Sequence, residues 1–143
     1  MRSAIVAVLA ALMLLPMSSQ AADGNHNYVG VGLGLASAGG YTDTGYAFLF
    51  QMQRDPHSAI GFAYHQGEII TATYKGYVGP YANSLFWEGG MLVATSYDIF
   101  LPMLGVGVDV PFGNKSMMSF TAGTAFGDVD TAFVARAAFM FEM

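Results

Sequence analysis

The chain is 143 residues long, and only 10% of them are charged while 54% are hydrophobic. A soluble surface carries about 25–35% charged residues, so a soluble domain is poorly supported. Five basic against ten acidic residues, a net charge of −5, leave no basic patch for nucleic acid, and with no cysteine an exported form must be held by its fold or by a membrane.

The N-terminus carries an export pattern. Arg2 is a positive n-region, residues 4–15 (AIVAVLAALMLL) are an unbroken apolar run, and Pro16 ends it. SSQAAD follows, with Ser19 and Ala21 at the two recognition positions of an A-x-A-like site. The pattern predicts a signal peptide over residues 1–21 and one domain over 22–143. The apolar run is shorter than the roughly 18 residues a membrane helix needs, and no later run reaches that length. An apolar, weakly charged chain without membrane helices has one way left to cross a bilayer, a closed β-barrel.

Eight alternating segments follow in chain order. YVGVGLGLA sets Val29, Val31, Leu33 and Leu35 against Gly30, Gly32 and Gly34. GYAFLFQMQ sets Tyr46, Phe48, Phe50 and Met52 against Ala47, Leu49, Gln51 and Gln53. SAIGFAYHQ sets Ile60, Phe62 and Tyr64 against Gly61, Ala63 and His65. The fourth segment sets Ile70, Ala72, Tyr74, Gly76 and Val78 against Thr71, Thr73, Lys75 and Tyr77. The fifth sets Trp87, Gly89, Met91 and Val93 against Glu88, Gly90, Leu92 and Ala94. MLGVGVDVP sets Leu104, Val106, Val108 and Val110 against Gly105, Gly107 and Asp109. The seventh sets Met118, Phe120, Ala122, Thr124 and Phe126 against Ser119, Thr121, Gly123 and Ala125. The last sets Phe133, Ala135, Ala137, Phe139, Phe141 and Met143 against Ala132, Val134, Arg136, Ala138, Met140 and Glu142.

One face is large and apolar; the other is small or polar and takes every charge within a segment. A soluble barrel with an apolar pocket would put long polar side chains on its outer face. The polar face here holds Gly, Ala, Ser and Thr, which suit a cramped interior. The large face is therefore predicted to meet lipid, through Val31, Phe48, Phe50, Phe62, Val106, Val108, Phe120, Phe139 and Phe141. Lys75, Tyr77, Glu88, Asp109 and Arg136 are predicted to converge in the lumen, where the glycines make room for them. Ion pairs filling a plugged barrel outweigh a proton path or a gate, because an unpaired buried charge is costly.

The connectors SAGGYTDT, RDPH, QGE, GPYANS, SYDIF, PFGNKS and GDVD carry turn residues, and Pro56, Pro80, Pro102 and Pro111 are predicted at segment ends. A dinucleotide loop in GVGLGLASAGG fails on spacing, since Gly30 and Gly32 would need a glycine where Leu35 stands and no helix pattern follows.

This pattern resembles the small outer-membrane β-barrel proteins of Gram-negative bacteria, of the OmpA, OmpX and OmpW type, over essentially all of residues 22–143. ARAAFMFEM is similar to the C-terminal assembly signal of that family, with Phe139 and Phe141 in alternation and Met143 in place of the final aromatic. The resemblance implies an all-β, eight-stranded antiparallel transmembrane barrel in the cell outer membrane. It implies outer-membrane lipid, lipopolysaccharide and the barrel-assembly machinery as partners. It also implies periplasmic termini, with Arg54 and Lys115 in periplasmic turns and Asp43, Asp98, Asp128 and Asp130 in short outer loops.

No catalytic, cofactor or metal motif emerges. The barrels that modify lipid A, of the PagP and PagL types, use a histidine with a serine and an acid. Asp55, His57 and Ser58 fall together in a turn on the wrong side for a PagP-type site, and His65 near Glu68 lacks an adjacent serine. Asp128 and Asp130 are too few ligands for a calcium site. Tyr28, Tyr46, Tyr64, Tyr74, Tyr81, Trp87 and Tyr97 suit interface girdles. Met52, Met91, Met118 and Met143 suit lipid contact. The expected protein is a non-enzymatic barrel with a structural or surface-interaction role. Narrow transport of a small or hydrophobic solute, OmpW-like, and lipid A modification are the alternatives. An open porin needs more strands.

Overall fold

The computed structural model describes residues 26–38, 40–66, 68–78, 84–96, 98–112, 115–127 and 131–143; the predicted signal peptide lies outside them. Eight strands run in chain order: β1 Asn27–Ala38, β2 Tyr41–Asp55, β3 Ser58–His65, β4 Ile69–Tyr77, β5 Ser84–Ala94, β6 Ile99–Pro111, β7 Ser116–Phe126 and β8 Thr131–Glu142. Each pairs antiparallel with the next, and β8 returns to β1 through Tyr28↔Glu142 to Ser37↔Phe133, so the sheet closes into a barrel. Closure removes both sheet edges, and the glycine-rich β1 gains a hydrogen-bonded neighbour on each side.

Period-two alternation becomes inside and outside. Inward Ala59, Thr71, Glu88, Asp109, Ala125 and Met140 are almost fully buried, while outward Val31, Leu33, Phe48, Leu104 and Val106 are more than half exposed. On the outside, Trp87 lies across from Gly76 and fills the space that a side chain there would need, with its ring 5.8 Å from that of Tyr74.

Three expectations are corrected. First, residues 37–44 do not form one connector: β1 continues to Ala38 and β2 starts at Tyr41, paired with it. Gly40, at φ 82°, supplies the left-handed residue that lets so short a connection reverse the chain. Second, β6 begins at Ile99 within the expected SYDIF connector, so Pro102 sits inside a strand, opposite Met91 of β5. It is tolerated because the β6–β7 ladder starts only at Met103↔Ala125, one residue further on.

Third, the inner face is not uniformly small or polar. At the end away from the termini, Leu92, Met103, Ala125, Ala132 and Val134 form an apolar layer with Ile69 and Leu101. At the terminal end, Tyr28, Met117, Ala138 and Met140 pack with Leu49, and Ala59, Tyr77 and Phe86 form a second cluster. Tyr28 is thus an interior side chain, not part of an outer girdle. Among the described girdle candidates, Tyr46, Tyr64, Tyr74 and Trp87 are exposed, and Tyr81 and Tyr97 lie outside the described residues.

Candidate functional site

Between the two apolar ends lies a polar belt. Lys75 (β4), Glu88 (β5), Asp109 (β6) and Arg136 (β8) all point inward and are buried. The register sets Lys75 directly opposite Glu88, yet each charge bonds elsewhere. Arg136 Nη2 donates to Glu88 Oε1 at 2.7 Å and its Nη1 to Thr71 Oγ1 at 2.9 Å, while Thr73 Oγ1 donates to Glu88 Oε2 at 3.3 Å. Lys75 Nζ lies 3.4 Å from Asp109 Oδ2 and 3.4 Å from Ser119 Oγ. Tyr77 Oη donates to Asp109 Oδ2 at 2.6 Å and accepts from Gln51 Nε2 at 3.0 Å. Beneath this group the Phe86 ring sits 4.0 Å from Lys75 Nζ, a cation–π contact that strengthens where water is absent.

The belt therefore holds two positive and two negative side chains whose formal charges cancel. That is what a narrow interior requires, because an uncompensated charge there has no solvent to turn to. Arg136 Nε is the remaining buried donor of the group without a hydrogen bond among the described residues. The five residues expected in the lumen come together here, joined by Gln51, Thr71, Thr73 and Ser119. Phe86 was not legible as a partner, since the fifth segment read from sequence starts at Trp87 and β5 at Ser84.

His65 also points inward and is buried, with Nε2 unpartnered. Its ring lies against Gly34. Glu68 does not join it: its carboxylate accepts from Thr95 and Ser96, in the turn between β5 and β6. Asp55, His57 and Ser58 form a local turn instead of a catalytic relay. Ser58 Oγ donates to Asp55 Oδ2 at 2.5 Å and the His57 backbone N–H to Asp55 Oδ1 at 2.7 Å. Those bonds, the Ser58 hydroxyl first, hold the Asp55 carboxyl below its usual range. At the terminal rim, His26 bonds the Glu142 carboxylate. Asp128 and Asp130 lie outside the described residues, and no cluster of three or more metal-ligating side chains occurs among the described ones.

The residues expected to meet lipid all lie on the outer face. Val31, Phe48, Val106, Phe120 and Phe141 are exposed. Phe50, Phe62, Val108 and Phe139 are half-buried among neighbours on that face; the Phe139 ring sits 4.7 Å from Phe141 and 5.4 Å from Phe112. Val31, Phe48, Phe50, Phe62, Tyr64 and Phe141 border an apolar groove of about 720 Å³.

The barrel is similar to solved structures of small natural and designed barrels. The outer membrane protein OprG from Pseudomonas aeruginosa matches with a TM-score of 0.62 at 10% identity, covering 84% of this chain and 96% of that one. Ail, the attachment invasion locus protein of Yersinia pestis, solved with the heparin analogue sucrose octasulfate, matches at 0.59 and 8% identity over 84% and 99%. The de novo designed barrel TMB2.3 matches at 0.60 and 12% identity over 86% and 98%. No family model and no curated protein matches the sequence. The likeness establishes the fold: a closed eight-stranded antiparallel barrel of the small outer-membrane type.

Proposed function

We propose that the chain is a non-enzymatic outer-membrane barrel with a structural or surface-interaction role and a lumen closed by its own side chains. One observation carries this reading: the same strands present an apolar exterior that is charged only near strand ends and a charge-balanced, hydrogen-bonded interior. An exterior holding Val31, Leu33, Phe48, Leu104 and Val106 at more than half exposure is stable only against hydrocarbon. Its surroundings are outer-membrane lipid and lipopolysaccharide, and its insertion falls to the barrel-assembly machinery.

The interior favours closure over transport. Apart from Arg136 Nε, the polar groups of the belt are spent on one another, an apolar layer covers them at the end away from the termini, and apolar side chains pack beside Tyr77 at the other. Lipid A modification is disfavoured by the Asp55–His57–Ser58 geometry, in which carboxylate and hydroxyl bond each other and the imidazole bonds neither. At the rim away from the termini, the described residues Asp43, near the start of β2, and Glu68 and Asp98, in the connections, are acidic, and no described residue there is lysine or arginine. A sulfated ligand of the kind bound to Ail would be repelled there, so a surface partner would have to be neutral or cationic.

Membrane fractionation of cells expressing the full chain tests the reading, with the outer-membrane fraction run on SDS gels before and after boiling. A band in that fraction whose mobility changes on heating is the expected result. A soluble periplasmic band indifferent to heating would mean that the two faces are inverted and that the barrel holds an apolar ligand. Unchanged lipid A mass spectra in cells with and without the protein are expected, and an altered acyl pattern would overturn the non-enzymatic assignment.

A further inference from the structure

At the end away from the termini, the apolar layer does not cover the whole cross-section. Its members come from β4 to β8: Ile69, Leu92, Leu101, Met103, Ala125, Ala132 and Val134. Across from them, the inward positions of β1, β2 and β3 at this level are Gly34, Gly45, Ala47 and Ala63, with His65 as the one large side chain. A barrel wall of glycine and alanine leaves a channel beside the bulky half unless something is laid into it. His65 is laid into it: a methyl group at Gly34 would collide with the imidazole, whose Cε1 would stand 3.0 Å away. Gln66, the next residue, fills the corresponding space over Gly45, where a methyl group would stand 2.7 Å from its Cβ.

Behind His65 the polar belt begins. Gly34 pairs with Arg136 across the β1–β8 seam, and Ala63, two residues before His65, pairs with Thr71, which accepts from Arg136. The imidazole makes no hydrogen bond through Nε2, and its ring is seated against Gly34. We infer that His65 is a side-chain stopper: seated in the Gly34 niche, it closes the mouth of the lumen on the β1–β3 side and keeps water from the Arg136–Glu88 pair. Closure on this side is carried by a side chain fitted to a glycine, with Gln66 beside it over Gly45. The inference rests on the closed-lumen reading and names the residue that controls closure at this end.

The chain has no cysteine, so a single introduced thiol reports water access cleanly. Ala63→Cys places it directly below the stopper. Ala59→Cys places it on the same strand at the other end of the barrel, packed with Tyr77 and Phe86. Each is combined with His65→Ala, which removes the stopper, and with Gly34→Ala, which fills its seat and leaves the histidine intact. The full chain, folded in lipid vesicles, is treated with a small water-soluble methanethiosulfonate. The thiol at position 63 is expected to be protected in the parent and labelled in both combined variants, while the thiol at 59 stays protected throughout. Labelling at 63 with His65 and Gly34 intact would overturn the inference. So would protection at 63 in a combined variant that still shifts on heating, or equal labelling at 63 and 59. Loss of the heat-dependent shift in the unmodified chain would instead refute the closed-barrel reading itself.

Discussion

Strands β1–β3 and β4–β8 build the same barrel wall from different materials. The first group lines the interior with Gly30, Gly32, Gly34, Gly45, Gly61, Ala47, Ala59 and Ala63 beside Tyr28, Leu49, Gln51, Gln53 and His65, none of which supplies a charge to the belt. The second supplies all four charges of the belt and most of the large apolar side chains of the far layer. The number of strands and their stagger set the cross-section of a barrel, so side-chain volume on one half must be matched by its absence on the other. The backbone also approaches closely across the seam, and a methyl group at Gly32 would stand 2.6 Å from Ala138 Cα. The glycines of β1 make room for Met140, for the close approach of the β8 backbone and for His65, and their loss of strand propensity is offset by a hydrogen-bonded ladder on both sides.

The largest expected effect comes from breaking the loaded half. Glu88→Ala leaves Arg136 buried without its carboxylate, and removal of one partner of such a pair costs about 3–5 kcal/mol. Urea unfolding in lipid, followed by the mobility shift, would measure it, and a loss under about 1 kcal/mol would mean that Arg136 reaches water. Next comes the exterior that both halves share. Val106→Arg, halfway along β6 and 64% exposed, is expected to cost about 2–4 kcal/mol if it meets the bilayer midplane. A neutral effect in the same assay would argue for solvent on that face.

Filling the bare half should cost less than unpairing the loaded one. Gly32→Val forces side-chain atoms against the β8 backbone, an overpacking penalty of about 1–3 kcal/mol or more. The same substitution at Gly89 should be tolerated, because a methyl group there would meet nothing nearer than 3.3 Å, and that neighbour is the flexible Leu104 side chain. If the two cost the same, the seam is not the tight place that its geometry implies. The smallest effect is at the rim. The Asp55 carboxyl is held below its usual range by Ser58 and the His57 amide, so its contribution is present above the ordinary carboxylate pKa and fades as the pH falls through the lowered one. The stability difference between the parent and Asp55→Ala should therefore be visible at neutral pH and vanish in strong acid. A difference that persists there would assign it to something other than the carboxylate.

Alternation by itself determined the strand count, the inward and outward sets, and the membership of Lys75, Tyr77, Glu88, Asp109 and Arg136 in one interior. A period of two admits no other assignment once one face is seen to be large and apolar. Strand ends were less legible: one left-handed glycine, Gly40, shortens the expected connector, and Pro102 is placed by where the ladder to β7 begins. Pairing was not legible at all. Lys75 faces Glu88 in register yet bonds Asp109, while Glu88 bonds Arg136 from a strand 48 residues away. Tyr28 shares the parity of Gly30 and is interior by that rule, but nothing in the sequence places His65 against Gly34. Sequence parity says which side of a wall a residue occupies. Only the closed barrel, through its stagger and its fixed internal width, decides which side chains meet across the space and which glycine each of them needs.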